Sequence, residues 1–87
     1  MKLKYDFEIT DFMSEVCAVS KQPNKSGKKV IVRLGNGTAV RIFSLIQEGN
    51  EIPDIVSIML KEYDMEEAVL RDEVEKFVAT LHKDNIV

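Results

Sequence analysis

Residues 34–49 read Leu-Gly-Asn-Gly-Thr-Ala-Val-Arg-Ile-Phe-Ser-Leu-Ile-Gln-Glu-Gly, and this stretch carries the signals of a complete short helix. Asn36 is the predicted N-cap, because an asparagine side chain accepts hydrogen bonds from the first free amides of a helix. Four apolar residues follow at the i, i+3, i+4 and i+7 spacing of one helical face: Ala39, Ile42, Phe43 and Ile46. Gly49 stands where a helix that ends through a left-handed residue favours glycine. The stretch therefore predicts an amphipathic helix with both ends defined.

Two more amphipathic helices are predicted after this one. The second begins at Asn50 or Glu51 and has Pro53 in its first turn, where proline is tolerated. Its apolar stripe consists of Ile52, Ile55, Val56, Met59, Leu60 and Tyr63. The third begins at a capping-box pattern, in which Asp64 caps the first turn and Glu67 reaches back, and it runs to about Lys83. Its inner seam consists of Leu70, Val74, Phe77 and Leu81.

The residues before Leu34 predict three strands. Polar and apolar side chains alternate over residues 2–10, which places Leu3, Tyr5, Phe7 and Ile9 on one face of a strand. A turn over residues 11–14 leads to a second strand over residues 15–20. The polar residues 21–28 predict a loop, and the β-branched run Val30–Leu34 predicts the third strand.

This order of elements predicts an α+β fold. A three-stranded antiparallel sheet is followed by three helices, and the helices bury their apolar faces against one side of the sheet. A small sheet beside a trihelical unit is a winged-helix-like plan. No internal repeat or linker divides the chain, so residues 1–87 are expected to form a single domain.

The composition is that of a small acidic globular protein. Of its 87 residues, 45% are hydrophobic and 31% are charged, and the net charge of −3 argues against a nucleic-acid partner. A local basic patch is still compatible with that charge, because four lysines fall between positions 21 and 29: Lys21, Lys25, Lys28 and Lys29. A solvated loop is the default interpretation of these lysines, and contact with an anion is the alternative.

The sequence indicates a cytoplasmic protein with no membrane partner. Cys17 is the only cysteine, so neither an intramolecular disulfide nor a cysteine-based metal site can form, which suits a reducing compartment. The N-terminus has no apolar core segment of a signal peptide. No apolar run approaches the roughly 20 residues that a membrane-spanning helix needs.

Catalytic signals are missing from the sequence. His82 is the only histidine and lies near a predicted helix end, where a surface role is the ordinary one. Cys17 lies in a strand pattern without a histidine or cysteine nearby, which favours a buried, inert thiol. Gly35-Asn36-Gly37 lacks the longer spacing and the Gly-Lys-Ser/Thr sequence of phosphate-binding loops. We therefore expect no catalytic residue, no metal and no cofactor.

The three helices together resemble those of the PqqD-like proteins, the peptide-recognition elements of ribosomal peptide maturation. The matching positions are Asn36, Thr38, Ala39, Ile42, Phe43 and Gly49 in the first helix, Ile55, Val56, Met59, Tyr63 and Asp64 in the second, and Asp72, Val74, Phe77, Leu81 and Ile86 in the third. Phe43 replaces the usual tryptophan of that family, and Asn85 replaces a common glycine. The resemblance implies a non-catalytic module that binds the leader of a precursor peptide and presents it to a modifying enzyme, often a radical SAM maturase.

Such binding has a physical basis in the third strand. If one side of that strand is an open sheet edge, an extended peptide can add there as a further strand. In the relatives the other wall of the site is the third helix. The predicted peptide-binding residues are Lys29, Val30, Ile31, Val32, Arg33 and Leu34 of the strand, and Arg71, Glu75, Val78 and His82 of the helix.

The sequence has two alternatives to peptide recognition, a DNA-binding protein and a homodimerising module. A winged-helix DNA-binding protein needs a basic recognition helix, but the third helix is net acidic and would repel phosphates. A homodimerising interaction module could use the same open edge to pair with its own copy. Homodimerisation and peptide binding are therefore not mutually exclusive.

Overall fold

The computed structural model describes all residues of the chain, 1–87. Three strands come first, and they are β1 (Phe7–Phe12), β2 (Glu15–Pro23) and β3 (Lys29–Arg33). Three helices follow, and they are α1 (Gly37–Gln47), α2 (Ile52–Glu62) and α3 (Glu67–Lys83). The antiparallel sheet has the order β1-β2-β3, so β2 is central and each outer strand has one free side. The predicted α+β fold of three antiparallel strands and three helices is confirmed, while its likeness to a winged helix stays a prediction.

The first strand begins later than the alternating pattern predicts. Leu3 and Tyr5 precede β1, yet both are half-buried and pack against the core, as Ile9 does within the strand. The Lys4 amide donates to the carbonyl of Ile86 at 2.9 Å, whereas the carbonyl of Asp6 accepts from the Lys21 amide of β2 at 2.7 Å. The segment is thus bonded to β2 only at Asp6, next to the start of β1, and to the C-terminus at Lys4. The period of two therefore identified the buried face correctly, but not the start of the strand.

The two hairpins of the sheet are closed in different ways. Met13 and Ser14 make the β1–β2 turn with φ values of 52° and 67°, as a tight two-residue hairpin turn requires. Between β2 and β3 the register is interrupted from Val19 to Pro23. Buried Ser20 bridges this interruption, because its Oγ accepts from the Val30 amide at 2.8 Å and donates to the Gln22 carbonyl at 2.7 Å.

Three aromatic rings connect the sheet to the helices at the centre of the core. Phe43 of α1 is fully buried, and its ring meets Phe7 of β1 edge-on with a centroid separation of 5.2 Å. The ring centroid of Phe77 of α3 lies 6.4 Å from that of Phe43, again edge-on. Edge-to-face pairs stabilise a core beyond the area that they bury. Phe43 is therefore the residue through which β1, α1 and α3 share one core.

The helix-end signals are confirmed for α1 and wrong for α3. The Asn36 side chain accepts from the Ala39 amide at 2.8 Å, and Gly49 has a φ of 93° just beyond α1. At α3 the N-cap position is Glu66, which makes no side-chain capping bond. Asp64 lies two residues too early to reach the first free amides of this helix, so the predicted capping box does not form.

An ion pair joins α1 to α2 and gives the stability of the protein a pH dependence. Arg41 donates through Nε and Nη2 to the two oxygens of Glu62, at 2.8 Å and 2.6 Å. This hydrogen bond lowers the pKa of Glu62 below its ordinary value near 4.5. Because the folded-state pKa is the lower one, the stabilisation is present above the unfolded-state pKa and is lost as the pH falls through the folded-state pKa.

Replacing Glu62 with glutamine is expected to remove this part of the acid sensitivity. Thermal unfolding measured between about pH 7 and about pH 3 should show a smaller loss of melting temperature for Glu62→Gln than for the wild type. Parallel melting curves for the two proteins over that range would contradict the assignment.

None of the three helices combines the length and apolar character that crossing a membrane requires.

Candidate functional site

The free side of β3 presents unpaired backbone groups. The Leu34 amide donates to the Val16 carbonyl at 3.0 Å, and Val32 lies opposite Ala18 in the same register. Successive amides of a strand point in alternate directions, so those of Val32 and Leu34 face β2. The amides of Ile31 and Arg33 therefore point to the side of β3 on which the sheet has no further strand.

A groove of about 400 Å³ lies beside this edge, between β3, the start of α1 and one flank of α3. Its volume is within the range of small-ligand sites in proteins. The strand contributes Val32, Arg33 and the following Leu34. The helices and the residues at their ends contribute Asn36, Thr38, Ala39, Ile42, Glu73, Lys76, Phe77, Thr80, Leu81 and Asp84.

The groove combines buried apolar residues with an exposed rim of mixed charge. Leu34, Ile42 and Leu81 are buried, and these aliphatic side chains can accept an apolar partner. On the rim, Lys76 Nζ lies 2.9 Å from the Asp72 carboxylate, and this hydrogen bond raises the pKa of Lys76. Lys76 is therefore charged at neutral pH. A groove with an apolar floor and a polar rim can bind an extended peptide segment that is apolar on one face.

Arg33 supplies a second cation at the rim. Its Nε lies 3.1 Å from the carboxylate of Glu15 on the neighbouring strand, and both side chains are well exposed. The carboxylates of Glu73 and Asp84 line the opposite wall and form no ion pair. A guest in the groove therefore meets charges of both signs, with the anions concentrated on the α3 side.

Of the ten predicted peptide-binding residues, three line the groove, and they are Val32, Arg33 and Leu34. Lys29 to Leu34 form β3 and its end, at the open edge. None of the four helix residues lines the groove: Arg71, Glu75, Val78 and His82. Val78 instead lines a cavity with Met1, Ile52 and Pro53, and Arg71 pairs with Glu67 at 3.2 Å.

This difference follows from the rotation of the helix. The buried seam of α3 has two flanks, and at about 100° per residue positions 71, 75, 78 and 82 fall on one of them. The other flank consists of Glu73, Lys76, Thr80 and Asp84, and it is the one that faces β3. No signal in the sequence identifies these four residues, because the choice of flank depends on which side of α3 the strand passes.

Residues of possible catalytic or metal-binding type are not gathered at the groove. Cys17 is buried in β2, and His82 is exposed near the end of α3. No group of three or more His, Cys, Asp or Glu side chains is placed to hold a metal ion. The chemical character of the site is thus set by backbone amides, apolar side chains and rim charges.

The fold and the groove define a small α+β module in which an open sheet edge faces a helix. The family model for coenzyme PQQ synthesis protein D (PqqD) matches residues 28–87. That range includes β3, all three helices and every residue that lines the groove. The chain belongs to the PqqD family, which confirms the resemblance drawn from the helix patterns.

Two solved structures share the whole fold. One is TbiB1 in complex with the TbiA(beta) leader peptide, with a TM-score of 0.68, 21% identity, and coverage of 99% of this chain and 94% of that chain. The other is lasso peptide synthetase B1 complexed with the leader peptide, with a TM-score of 0.67, 16% identity, and coverage of 98% and 93%. At these identities the likeness establishes the fold. No match was found among curated proteins.

Proposed function

We propose that this chain is a non-catalytic recognition module for the leader of a ribosomally synthesised precursor peptide. The leader adds as a fourth strand along β3 and is presented to a separate modifying enzyme. The observation that carries the proposal is the open edge of β3, with the amides of Ile31 and Arg33 directed outwards beside the groove. Membership of the PqqD family supports it, and so do the leader peptides bound to both structural neighbours.

The geometry divides affinity and selectivity between two kinds of contact. Backbone hydrogen bonds to β3 are available to any extended peptide and supply affinity that tolerates sequence variation. Alternate side chains of the guest point to opposite faces of the extended sheet. One row enters the groove towards Leu34, Ile42 and Phe77, and the other row lies near Ile31 on the outer face. Selectivity arises from the row in the groove.

The module works with a separate enzyme. The chemistry belongs to the partner enzyme, for which a radical SAM maturase is the candidate that the family resemblance suggests. Residues 1–87 act as one domain in the cytoplasm, without a nucleic-acid or membrane partner. A homodimer through the same edge is compatible with peptide recognition, because a second copy and a leader would compete for β3. Sedimentation at several concentrations, with and without peptide, tests that competition.

Filling the groove is expected to block binding. Thr80 is exposed in the α3 wall, and tryptophan at this position occupies space that the guest needs. Wild-type protein should bind the leader of the precursor encoded beside its gene with a Kd in the micromolar range or tighter, about −8 kcal/mol. We expect Thr80→Trp to weaken that Kd by about tenfold or more, equivalent to about 1.4 kcal/mol, in a fluorescence anisotropy titration.

The neighbouring residue supplies a matched control. Ala79 is also exposed but does not line the groove, so Ala79→Trp adds the same side chain on another side of α3 and should bind like the wild type. His82→Ala, on the flank away from β3, should likewise leave the Kd unchanged. Equal weakening by Thr80→Trp and Ala79→Trp would show that the guest does not occupy this groove.

A further inference from the structure

One end of β3 carries lysines that form no ion pair with a carboxylate. We define the lysine cluster as Lys4, Lys25, Lys28 and Lys29. All four side chains are exposed and none forms an ion pair, whereas Arg33, Arg41, Arg71 and Lys76 each pair with a carboxylate. In a chain of net charge −3 this is a local excess of cations. The cluster is therefore available to an anionic partner.

The loop that holds two of these lysines is fixed by hydrogen bonds. Asn24 Oδ1 accepts from the amides of Ser26 and Lys28, at 2.9 Å and 3.0 Å. The Asn24 amide donates to the Lys28 carbonyl at 2.7 Å, and the Gly27 amide donates to the Asn24 carbonyl at 2.9 Å. The backbone positions of Lys25 and Lys28 are thus set before a partner arrives, which lowers the entropy cost of binding.

Two lysines of the cluster, Lys4 and Lys25, lie where the groove continues past the start of β3, while Lys28 and Lys29 lie at the start of that strand. A second cavity, of about 630 Å³, is lined by Lys4, Tyr5, Asn24, Lys25, Ser26, Val30, Asp84 and Asn85. It shares Asp84 with the groove, and its Val30 precedes the groove residue Val32 on the same strand. A peptide lying along β3 therefore passes from the apolar groove directly to the lysine cluster.

The direction of the guest strand decides which part of it meets the lysines. All pairs in the sheet are antiparallel, and an antiparallel addition continues that pattern with the more stable geometry. Since β3 runs from Lys29 towards Arg33, an antiparallel guest runs towards Lys29. Its N-terminal part lies near the start of α1, and its C-terminal part reaches the cluster.

We propose that the lysine cluster binds acidic side chains that follow the apolar segment of the guest peptide on its C-terminal side. This inference rests on the proposed strand addition and specifies the chemistry of its client. Asp84 is the only carboxylate that lines the second cavity, and it opposes such a guest. The cluster thus selects a leader that has an apolar segment first and Asp or Glu after it.

A display selection tests the proposal without knowledge of the natural client. A library of random short peptides is selected on wild-type protein and on the double variant Lys25→Gln, Lys28→Gln. Wild-type protein is expected to enrich peptides with alternating apolar residues followed by acidic ones. The double variant should retain the apolar enrichment and lose the acidic one. Lys61→Gln, which removes an exposed, unpaired lysine of α2, is the matched control and should select like the wild type.

The affinities of one selected acidic peptide make the test quantitative. Each lost lysine should weaken its Kd about two- to fivefold, as expected for exposed charge pairs. The difference between wild type and variant should disappear near 1 M salt, where the screening length is about 3 Å. Asp84→Asn should bind the same peptide more tightly than the wild type, because the opposing carboxylate is gone.

The possible outcomes separate this inference from the proposed function. Apolar enrichment without an acidic preference overturns the role of the lysine cluster and leaves strand addition intact. An acidic preference on the N-terminal side of the apolar segment overturns the stated direction of the guest. Failure to enrich any alternating apolar segment overturns strand addition, and the inference falls with it.

Discussion

Replacing Ile31 with proline is expected to weaken peptide binding by about tenfold to a hundredfold while leaving the protein folded. The Ile31 amide points away from β2, so proline removes a donor that the sheet does not use but the guest strand does. A guest carbonyl left without its partner costs about 1–3 kcal/mol. The proline ring also stands in the way of the incoming strand. Anisotropy titration with the leader measures the loss, and circular dichroism verifies the fold.

Two further proline variants isolate the role of this edge. Asp11→Pro removes an amide that points to the free side of β1, on the opposite edge of the sheet, and should bind the leader like the wild type. Val32→Pro removes an amide that faces β2 and should destabilise the fold itself. If Ile31→Pro and Asp11→Pro had the same affinity, the β3 edge would not be where the peptide adds.

Replacing Phe43 with alanine is expected to cause the largest loss of stability of any single core change. Phe43 is fully buried and contacts the rings of both Phe7 and Phe77, so the substitution leaves a cavity where strand and helices meet. Such truncations cost about 3–5 kcal/mol. A domain of this size has a total stability near the lower end of about 5–15 kcal/mol. The variant should therefore retain only about 0–2 kcal/mol, so that roughly a few per cent to one half of it is unfolded at room temperature.

Denaturant titration followed by circular dichroism measures this effect. Phe12→Ala is the matched control, because Phe12 is 45% exposed at the end of β1 and its truncation leaves no closed cavity. Its free energy of unfolding should change far less than that of Phe43→Ala. Similar losses for the two variants would mean that Phe43 is not the residue that joins the two layers of the core.

Local signals in the sequence were sufficient to predict most of the fold. Asn36 and Gly49 define α1 because a cap and a left-handed terminus depend on a few neighbouring residues. The strand β3 follows from a β-branched run of its own. The start of β1 does not follow from the alternating pattern, because the Lys4 amide is bonded to Ile86, a contact between the two ends of the chain. The period of an alternating pattern contains no information about such a partner.

The sequence predicts the strand side of the candidate groove but not which flank of α3 lines it. The strand side of the groove is predictable because the order of elements makes β3 the last strand before the helices. Which residues of α3 line the groove depends on the rotation of α3 about its axis relative to β3. The sequence shows which residues of α3 are buried, such as Leu70 and Val74, but the two exposed flanks look alike because both are rich in charge. Only the packing of the helix distinguishes Thr80 from His82 as a neighbour of the strand.

The open edge of β3 could pair with other chains, and the charges near it oppose such pairing. Exposed edge strands tend to pair with other chains, and lysines at the edge discourage this. Lys28 and Lys29 stand at the start of β3, while Ile31 in its middle is 45% exposed. Like charges would oppose pairing between two copies but attract an acidic guest. The same residues can therefore suppress self-association and favour the client.

Hydrogen exchange at single amides of β3 tests the central claim most directly. In the free protein the amides of Ile31 and Arg33 should exchange rapidly, because no strand lies beside them, while the amide of Val32 should be protected. Saturation with the leader of the neighbouring precursor, or with the tightest peptide from the selection, should slow exchange at Ile31 and Arg33 and leave Val32 protected. If a peptide binds while both outward amides continue to exchange at their free rates, it does not add to this edge, and the account is contradicted.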